Sequence, residues 1–488
     1  MVEVQRRGSE FGFELLPGES KSNFENALEK ARSGERLSVD DATELLTTGT
    51  DTDGIVRERK NLVLEAADRR RREVVGDEVT FVANLNNNVT TACNVGCLFC
   101  NFKDAARKFR VGNEDKNDGF TKTPRESRDI ARDARDLGVY EICSVSGLHP
   151  TFVLDDEHRE ILESMSEGVD GNGNHGDRAE SSAGGESAVE GKLSLDVVDG
   201  GPEEPSPGSG GLNYLPESEF ESSPGSYVDQ VKAMSDPGLH VHSMTPEEAY
   251  HASRGVDWSY REVYSRLKDA GLDSVPGTAA EILVEEVREV LCPGKIGADE
   301  WMEAMVAATE VGLDVTATVM YGHIENARHR ALHLERIREL QDRTGAVTEF
   351  VPLTFIHENT PLYGKGMVDG GASKSEDELM VAVSRLFLDN IENIQSSWVK
   401  YGDELGLRML NCGANDFMGT ILSEEITRRA GGEHGEYRSF GKYVEMIESI
   451  DRIPVERTTD YREKRVIDVS EPPYGPNLGP GSDGSPMI

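Results

Sequence analysis

The sequence has few cysteines, no long apolar run and a shortage of positive charge. Six cysteines in 488 residues are too few for the disulfide framework of a secreted protein. No segment approaches the ~20 apolar residues that span a bilayer, and the N-terminal stretch MVEVQRRGSEFGFELL lacks the uninterrupted apolar core of a signal peptide. We therefore expect a cytoplasmic protein that makes no contact with membranes.

Positive charge is scarce relative to negative charge. Lysine and arginine total 52 against 90 aspartates and glutamates, which gives a formal net charge of -38. Such a surface repels phosphate backbones and anionic headgroups, so nucleic-acid binding is disfavoured and a small-molecule substrate is favoured. The same charge suits a salt-rich cytoplasm, where screening weakens the repulsion between carboxylates. We expect a halophilic source, with an ordinary acidic enzyme as the alternative.

The order of sequence patterns indicates an α/β fold. Short apolar runs alternate roughly eight times with amphipathic segments, as in a (β/α) TIM-type barrel or a doubly wound parallel sheet. In either fold, the chemistry belongs at the carboxyl ends of the strands. The predicted strands are 79–85, 140–147, 239–244, 315–323, 348–355 and 408–415, with weaker candidates at 273–278 and 393–398.

Three other parts of the chain flank or interrupt this alternation. Residues 1–75 carry helical patterns and are predicted to form an N-terminal extension. Residues 166–226 are rich in Gly, Ser, Glu and Pro, which predicts a disordered acidic insertion, and residues 469–488 resemble it and predict a flexible tail. The barrel is then predicted to comprise residues 76–165 and 227–468.

Half of the cysteines fall within eight residues, in the stretch CNVGCLFC directly after the first predicted strand. Cys93, Cys97 and Cys100 have the spacing C-x3-C-x2-C, while the other three cysteines stand alone in separate elements. A structural zinc site needs four protein ligands. Three thiolates can instead hold a 4Fe-4S cluster and leave one iron open for a reactive ligand. The spacing therefore favours an iron-sulfur cluster, with a zinc-stabilised, non-catalytic binding protein as the alternative.

The position, spacing and flanks of this cysteine motif resemble those of the radical SAM enzymes. The resemblance implies one 4Fe-4S cluster with three cysteine ligands and an exchangeable S-adenosylmethionine (SAM) on the open iron. In that family the reduced cluster cleaves SAM to methionine and a 5'-deoxyadenosyl radical. The resemblance also implies that Phe99 lies beside the adenine, and that the motif contacting the SAM amino group includes Ser146 and Gly147.

Further stretches resemble the radical SAM subgroup that makes deazaflavin or futalosine-route menaquinone precursors. Among them, LCPGKI and TATVMYGH are most similar to the second subunit of FO synthase, the tyrosine-dependent 4-hydroxyphenyl transferase family of coenzyme F-420 biosynthesis. This implies that the radical abstracts hydrogen from L-tyrosine, whose Cα–Cβ bond breaks. The resulting 4-hydroxybenzyl radical would add to carbon 5 of 5-amino-6-(D-ribitylamino)uracil.

The same resemblance implies two protein partners. The first subunit of FO synthase (CofG type) would close the deazaflavin ring, and an electron donor would reduce the cluster. The alternative within the subgroup is a radical SAM enzyme of the futalosine menaquinone route.

Polar residues at predicted strand ends are the candidate substrate ligands. The ribityl chain and pyrimidine require neutral hydrogen-bonding groups, and the ammonium group of tyrosine requires a carboxylate such as Glu281 or Glu325. The neutral candidates are Asn86, Asn88, Tyr321 and His323. The chain departs from the subgroup in two motifs. It has Val145-Ser146-Gly147 where Gln-Gly-Gly is common, and Asn101-Phe102-Lys103-Asp104 after the third cysteine where Ala-Phe-Arg-Arg is common.

Overall fold

The computed structural model describes residues 22–48, 54–100, 120–167, 225–420, 431 and 438–470. Nearly all of the predicted acidic insertion and of the predicted tail lie outside these ranges, as does the start of the predicted N-terminal extension. The predicted domain limits therefore stay predictions. Within the described ranges, no helix is both long enough and apolar enough to cross a membrane.

A curved sheet of seven parallel strands forms the centre of the described structure. The described strands are β1 Glu78–Val82, β2 Asn84–Asn86, β3 Glu141–Ser144, β4 His240–Ser243, β5 Ser274–Val275, β6 Asp314–Tyr321, β7 Val347–Thr354, β8 Asn393–Ile394, β9 Asp416–Gly419, β10 Ile453–Arg457 and β11 Lys464–Val466. The seven strands of the central sheet lie side by side in chain order from β2 to β8, and a second sheet has the order β11-β10-β1-β9.

Strands β9 and β1 complete the ring that the seven-stranded sheet begins. Strand β9 pairs in parallel with β1, where Thr80 lies opposite Asp416. A parallel bridge between Gln395 and Asp416 joins β9 to the end of β8, and β1 continues through Ala83 into β2. The predicted α/β barrel is confirmed.

Helices follow most of the strands and cover the outside of the barrel. Several begin with a capping box, in which an N-cap hydroxyl and a carboxylate three residues later satisfy each other's backbone N–H groups, as Thr123 and Glu126 do. The helices are α1 Asn23–Ser33, α2 Val39–Thr47, α3 Gly54–Val75, α4 Pro124–Asp136, α5 Asp156–Glu167, α6 Tyr227–Ser235, α7 Pro246–Ala252, α8 Tyr260–Asp269, α9 Glu285–Leu291, α10 Ala298–Glu310, α11 Ala327–Thr344, α12 Pro361–Gly364, α13 Lys374–Phe387, α14 Trp398–Met409 and α15 Phe440–Glu448.

The core lies between the strands and these helices. Side chains on both faces of the parallel strands are buried, which explains why the strand sequences read as apolar runs; Ile142, Val241, Val315 and Phe350 are each 0% exposed. Helices α2 and α3 pack against α11 and α13. The three N-terminal helices therefore sit on the outer wall of the barrel.

One predicted strand is wrong. Residues 408–415 contain no strand: α14 runs to Met409, and the strand of this region is β9, Asp416–Gly419. Met409 and Leu410 are fully buried, so the run is apolar because it forms the buried end of a helix. A short apolar run does not distinguish a buried helix end from a strand. The two weaker candidates are confirmed as the two-residue strands β5 and β8.

Candidate active site at the carboxyl ends of the strands

A cavity of about 310 Å³ lies at the carboxyl ends of the parallel strands. Most of its wall is apolar, which suits an aromatic ligand. The apolar side chains are Val95, Phe99, Val145, Leu148, Ala279, Met320, Leu353, Phe355, Ile356, Val399 and Met418.

The three clustered cysteines all line this cavity. Cys97 is buried, while Cys93 and Cys100 are partly exposed. The loop is held at Leu98, whose N–H donates to the carbonyl of Leu291 at 3.0 Å and whose carbonyl accepts from the N–H of Leu362 at 2.9 Å. The cysteine loop is therefore fixed by backbone hydrogen bonds to two elements on the far side of the barrel.

The chemistry of these thiols fits a cationic cluster. Burial raises the pKa of the Cys97 thiol well above its usual value, so the thiolate needs a nearby cation such as a metal centre to form. Within the described ranges, however, no three His, Cys, Asp or Glu side chains are grouped so that they already form a metal site. Ligation by the three cysteines therefore stays a prediction.

Ser146 and Gly147 lie directly beside the start of the cysteine loop. The N–H of Val89 donates to Ser146 Oγ at 2.7 Å, and the N–H of Gly147 donates to the carbonyl of Thr90 at 2.8 Å. A Cβ added at Gly147 would lie 2.3 Å from the carbonyl oxygen of Ala92. Only glycine permits this approach, so the motif after β3 and the cysteine loop form one wall of the cavity.

Two cavity-lining residues carry buried oxygen atoms without a hydrogen-bond partner. The Nδ2 of Asn88 donates to the carbonyl of Val145 at 2.5 Å, but its Oδ1 has no partner, and neither has the Oγ1 of Thr278. Asn88 is only 4% exposed. Buried polar atoms are normally satisfied, so both oxygens are candidates for ligand contacts. Asn86 lines the same cavity.

The segment after β5 approaches the cavity in an unusual backbone conformation. Ala279 and Glu281 have positive φ angles of 69° and 46°, a region that non-glycine residues occupy at a cost of about 1–3 kcal/mol. The N–H of Met320 donates to the carbonyl of Glu281 at 2.7 Å. This strained turn directs Glu281 towards the cavity, which it lines.

Glu281 is part of a charged cluster that consists of Glu247, Glu281 and Lys295. All three line the cavity. The Nζ of Lys295 lies 2.7 Å from Oε1 of Glu281, and their side chains are 12% and 11% exposed. Burial raises the pKa of Glu247, although the nearby Lys295 opposes this shift. Lys295 also lies 5.4 Å from the ring centroid of Phe99.

Tyr321 and His323 are not among the residues that line the cavity. The hydroxyl of Tyr321 donates to Asp377 at 2.8 Å and contacts the hydroxyl of Tyr401 at 2.9 Å. The fully buried imidazole of His323 lies 2.9 Å from Glu325. Since strand side chains alternate between faces, Thr318 and Met320 face the cavity while Tyr321 packs among the surrounding helices. Substrate contacts by Tyr321 and His323 stay predictions that this placement does not support.

Sequence reasoning missed Glu247, Thr278 and Lys295 as site residues. Lys295 lies in the stretch LCPGKI, whereas Glu247 lies in an ordinary helix start, TPEEAY. These residues come from separate loops, and only the closed barrel brings them together. For Thr278, the one available signal was its place at the carboxyl end of the weak strand candidate 273–278.

Comparison with known proteins places the chain in a family. A family model described as "CofH/MqnC C-terminal region" matches residues 344–468. The chain is 63% identical over 98% of its length to the 5-amino-6-(D-ribitylamino)uracil--L-tyrosine 4-hydroxyphenyl transferase of Haloarcula marismortui, of which 96% is covered. It is 58% identical, with the same two coverages, to the enzyme of that name from Halobacterium salinarum.

A solved structure has the same fold. The crystal structure of methylornithine synthase (PylB) matches with a TM-score of 0.54 and 16% identity, over 88% of this chain and 97% of the other. The fold and the close relatives agree with the resemblance read from the cysteine motif. The chain belongs to the radical SAM superfamily and, within it, to the family of 5-amino-6-(D-ribitylamino)uracil--L-tyrosine 4-hydroxyphenyl transferases.

Proposed function

We propose that this protein is a radical SAM transferase that cleaves L-tyrosine and joins its 4-hydroxybenzyl group to carbon 5 of 5-amino-6-(D-ribitylamino)uracil. The reaction would supply the precursor that is closed to a deazaflavin in coenzyme F-420 biosynthesis. One observation carries the proposal beyond family membership. The three clustered cysteines and the candidate substrate residues Asn86, Asn88 and Glu281 all line a single cavity.

Membership of the superfamily implies a 4Fe-4S cluster and SAM as cofactors. In the proposal, Cys93, Cys97 and Cys100 hold the cluster, Phe99 lies beside the SAM adenine, and the Ser146–Gly147 motif faces the SAM amino group. When bound, the cluster and SAM supply a 5'-deoxyadenosyl radical. The glycine at position 147 supports this arrangement because it brings the motif against the cysteine loop.

The residues of the cavity would bind the two substrates and keep out water. A primary carbon radical abstracts hydrogen from most organic groups, so the substrate must be held close to it in a dry site. The apolar wall, with Leu353, Phe355 and Met418, suits the phenol ring of tyrosine. Asn86 and the unpartnered Oδ1 of Asn88 suit the polar pyrimidine and ribityl groups.

Partners and location follow from the same proposal. An electron donor would reduce the cluster, and the first subunit of FO synthase would close the ring of the coupled product. Both are expected in the cytoplasm, where the enzyme would also act.

The test is a substrate-swap assay on anaerobically reconstituted protein. With a reductant, SAM, L-tyrosine and the diaminouracil, we expect 5'-deoxyadenosine and a coupled product. A futalosine-type compound in place of both substrates should give no turnover. Deoxyadenosine without tyrosine consumption would refute the substrate assignment, and a colourless protein that binds one zinc would refute the radical chemistry.

A further inference from the structure

The cavity has two levels of side chains along the direction of the strands. Asn86, Cys143 and Thr318 line it from within β2, β3 and β6, and in each case the residue two positions later in the chain lines it as well. Side chains two residues apart in an extended chain share a face and are spaced by about 7 Å. Asn86, Cys143 and Thr318 therefore form a deep layer, farther from the carboxyl ends of the strands and from the cysteine loop.

Charge is distributed unevenly between the deep layer and the outer part of the cavity. The deep layer offers an amide, a thiol and a hydroxyl group, and none of its side chains is an acid or a base at neutral pH. The described lining residues with charged side chains all follow the ends of strands; they are Glu247, Glu281, Lys295 and Lys400. Placing a charged group where it has no charged partner is costly. The deep layer therefore suits an uncharged polar ligand, whereas a zwitterion suits the outer part.

Buried ion pairs fill the barrel below the deep layer. Glu141 precedes Cys143 by two residues on β3 and is 4% exposed. Arg457 lies 2.7 Å from Asp416, and its side chain is 2% exposed; it also lies 3.1 Å from Glu349. In the described part of the chain, these side chains close the barrel at its lower end. A ligand therefore reaches the deep layer from the carboxyl ends of the strands, past the cysteine loop.

We propose that the deep layer binds the diaminouracil, that L-tyrosine binds above it and next to SAM, and that the diaminouracil must therefore enter first. This inference rests on the proposed function and adds the order of the ligands, with Cys143 and Thr318 as contacts of the diaminouracil. The diaminouracil is uncharged and carries many hydrogen-bonding groups, whereas tyrosine is a zwitterion. The order also keeps the C–H bonds beside the ribityl hydroxyl groups away from the deoxyadenosyl radical.

The first test measures the release of labelled ligands from the complete complex, on reconstituted protein without reductant. The protein is saturated with SAM, tyrosine and the diaminouracil, one of which is radiolabelled, and is then mixed with an excess of the same ligand unlabelled. Release of the diaminouracil should slow by about tenfold or more as tyrosine and SAM are raised to saturation, because they cover it. Release of tyrosine should not depend on the concentration of the diaminouracil.

Cys143→Met tests where the diaminouracil binds. The longer apolar side chain fills part of the deep layer, so the affinity for the diaminouracil should fall by about tenfold or more. The affinity for SAM, and that for tyrosine in the absence of the diaminouracil, should stay unchanged because both ligands bind above this layer. Cys143→Ser keeps the size and a neutral polar group, so it should bind the diaminouracil to within about threefold of the wild-type protein.

Cys412→Met is the matched control. Cys412 is 4% exposed, but it does not line the cavity, so all three affinities should stay as in the wild-type protein. If Cys143→Met fails to fold, as judged by its thermal midpoint and iron content, Thr318→Val takes its place. Loss of that hydroxyl group should lower the affinity for the diaminouracil alone, by about threefold.

The outcomes separate this inference from the proposed function. If the wild-type protein neither binds nor consumes tyrosine, the proposed function fails. If it forms the coupled product but releases the diaminouracil at a rate that tyrosine and SAM do not change, only the inference fails. A loss of affinity for tyrosine alone in the deep-layer variants would place tyrosine there instead. An equal loss for all three ligands would indicate a structural role, and either result would overturn the inference.

Discussion

Gly147 lies so close to Ala92 that any side chain at position 147 would collide with the backbone of Ala92. A Cβ on Gly147 would lie 2.3 Å from the carbonyl oxygen of Ala92 and 3.2 Å from the Cβ of Cys93. Real Cβ atoms do not tolerate the first distance, so the cysteine loop would have to move. The glycine thus couples the motif after β3 to the position of the first clustered cysteine.

This contact predicts that Gly147→Ala impairs cluster assembly. Because the substitution displaces the loop that carries Cys93, the iron content after anaerobic reconstitution should fall well below that of the wild-type protein. The measurement is iron per chain together with absorbance near ~400 nm from thiolate-iron charge transfer. Gly364→Ala is the control, since an added Cβ there meets nothing within 4 Å. Full iron loading in Gly147→Ala would contradict the prediction.

Alanine substitutions at the three clustered cysteines and at a solitary cysteine should have different effects on SAM cleavage. Replacing Cys93, Cys97 or Cys100 by Ala should abolish SAM cleavage, because each removes a proposed cluster ligand. Cys412→Ala should retain it, since Cys412 is buried and does not line the cavity. The readout is 5'-deoxyadenosine formed under reducing conditions. If a variant of Cys93, Cys97 or Cys100 still cleaves SAM, the replaced cysteine is not a required ligand of the iron-sulfur cluster, and the assignment is wrong.

Tyr321→Phe should reduce stability without changing substrate binding. The substitution removes the hydrogen bond to the buried Asp377, and losing a hydrogen bond to a charged group costs about 1.5–3 kcal/mol. We expect a lower denaturant midpoint and unchanged KM values for tyrosine and the diaminouracil. Tyr363→Phe, at a residue 41% exposed, should leave the midpoint unchanged. A large rise in either KM would instead indicate that Tyr321 contacts a substrate.

Stability should fall as the pH falls through the acidic range, in part because of His242. Burial lowers the pKa of His242 from its ordinary 6.5 to about 4. The unfolded chain therefore binds this proton first, so the contribution of His242 is complete above pH 6.5 and is lost as the pH falls towards 4. A shift of this size is worth about 3 kcal/mol at most.

The matched variant for this effect is His242→Asn. Asparagine can keep a hydrogen bond to Ser274, which the Nδ1 of His242 contacts at 2.7 Å, but it does not titrate. Denaturant midpoints of the cluster-free chain, measured at a series of pH values, should decline less steeply for the variant. Parallel declines for the two proteins would remove His242 as a cause.

The acidic composition predicts that salt stabilises the fold. With a formal net charge of -38, repulsion between carboxylates opposes the compact state at low ionic strength, and at about 1 M salt the screening length is only about 3 Å. The thermal midpoint should rise by several degrees between about 0.1 M and about 2 M KCl. A midpoint that does not depend on salt would argue against adaptation to a salt-rich cytoplasm.

Much of the barrel could be predicted from the sequence because its strands are buried on both faces. Runs such as VTATVMYGH gave β6 directly, whereas RMLNCGAN gave a strand that is really a helix end and a turn. The periodicity of apolar residues does not identify very short strands. It also does not show which side chains at the end of a strand point into the barrel. This explains why Tyr321 was predicted at the site while its neighbour Met320 lines the cavity.

Some residues of the candidate site could also be predicted from the sequence, and others could not. The clustered cysteines could be predicted because their spacing is local, within one loop. Glu247 and Lys295 could not, because they are 48 residues apart in the sequence (295 minus 247) and meet only when α7 and the loop after α9 close over the same cavity. Their proximity to each other and their burial arise from the tertiary structure, and a local sequence pattern does not predict either property.

The most direct test of the central claim follows the carbon atoms of tyrosine through the reaction. Reconstituted protein would be supplied with reductant, SAM, the diaminouracil and L-tyrosine labelled with ¹³C at either the β- or the α-carbon. We predict that the β-carbon label appears in the coupled product, bonded to carbon 5 of the pyrimidine, and that the α-carbon label leaves with the imino acid. A coupled product that retains the α-carbon, or deoxyadenosine with no labelled pyrimidine product, would contradict the account.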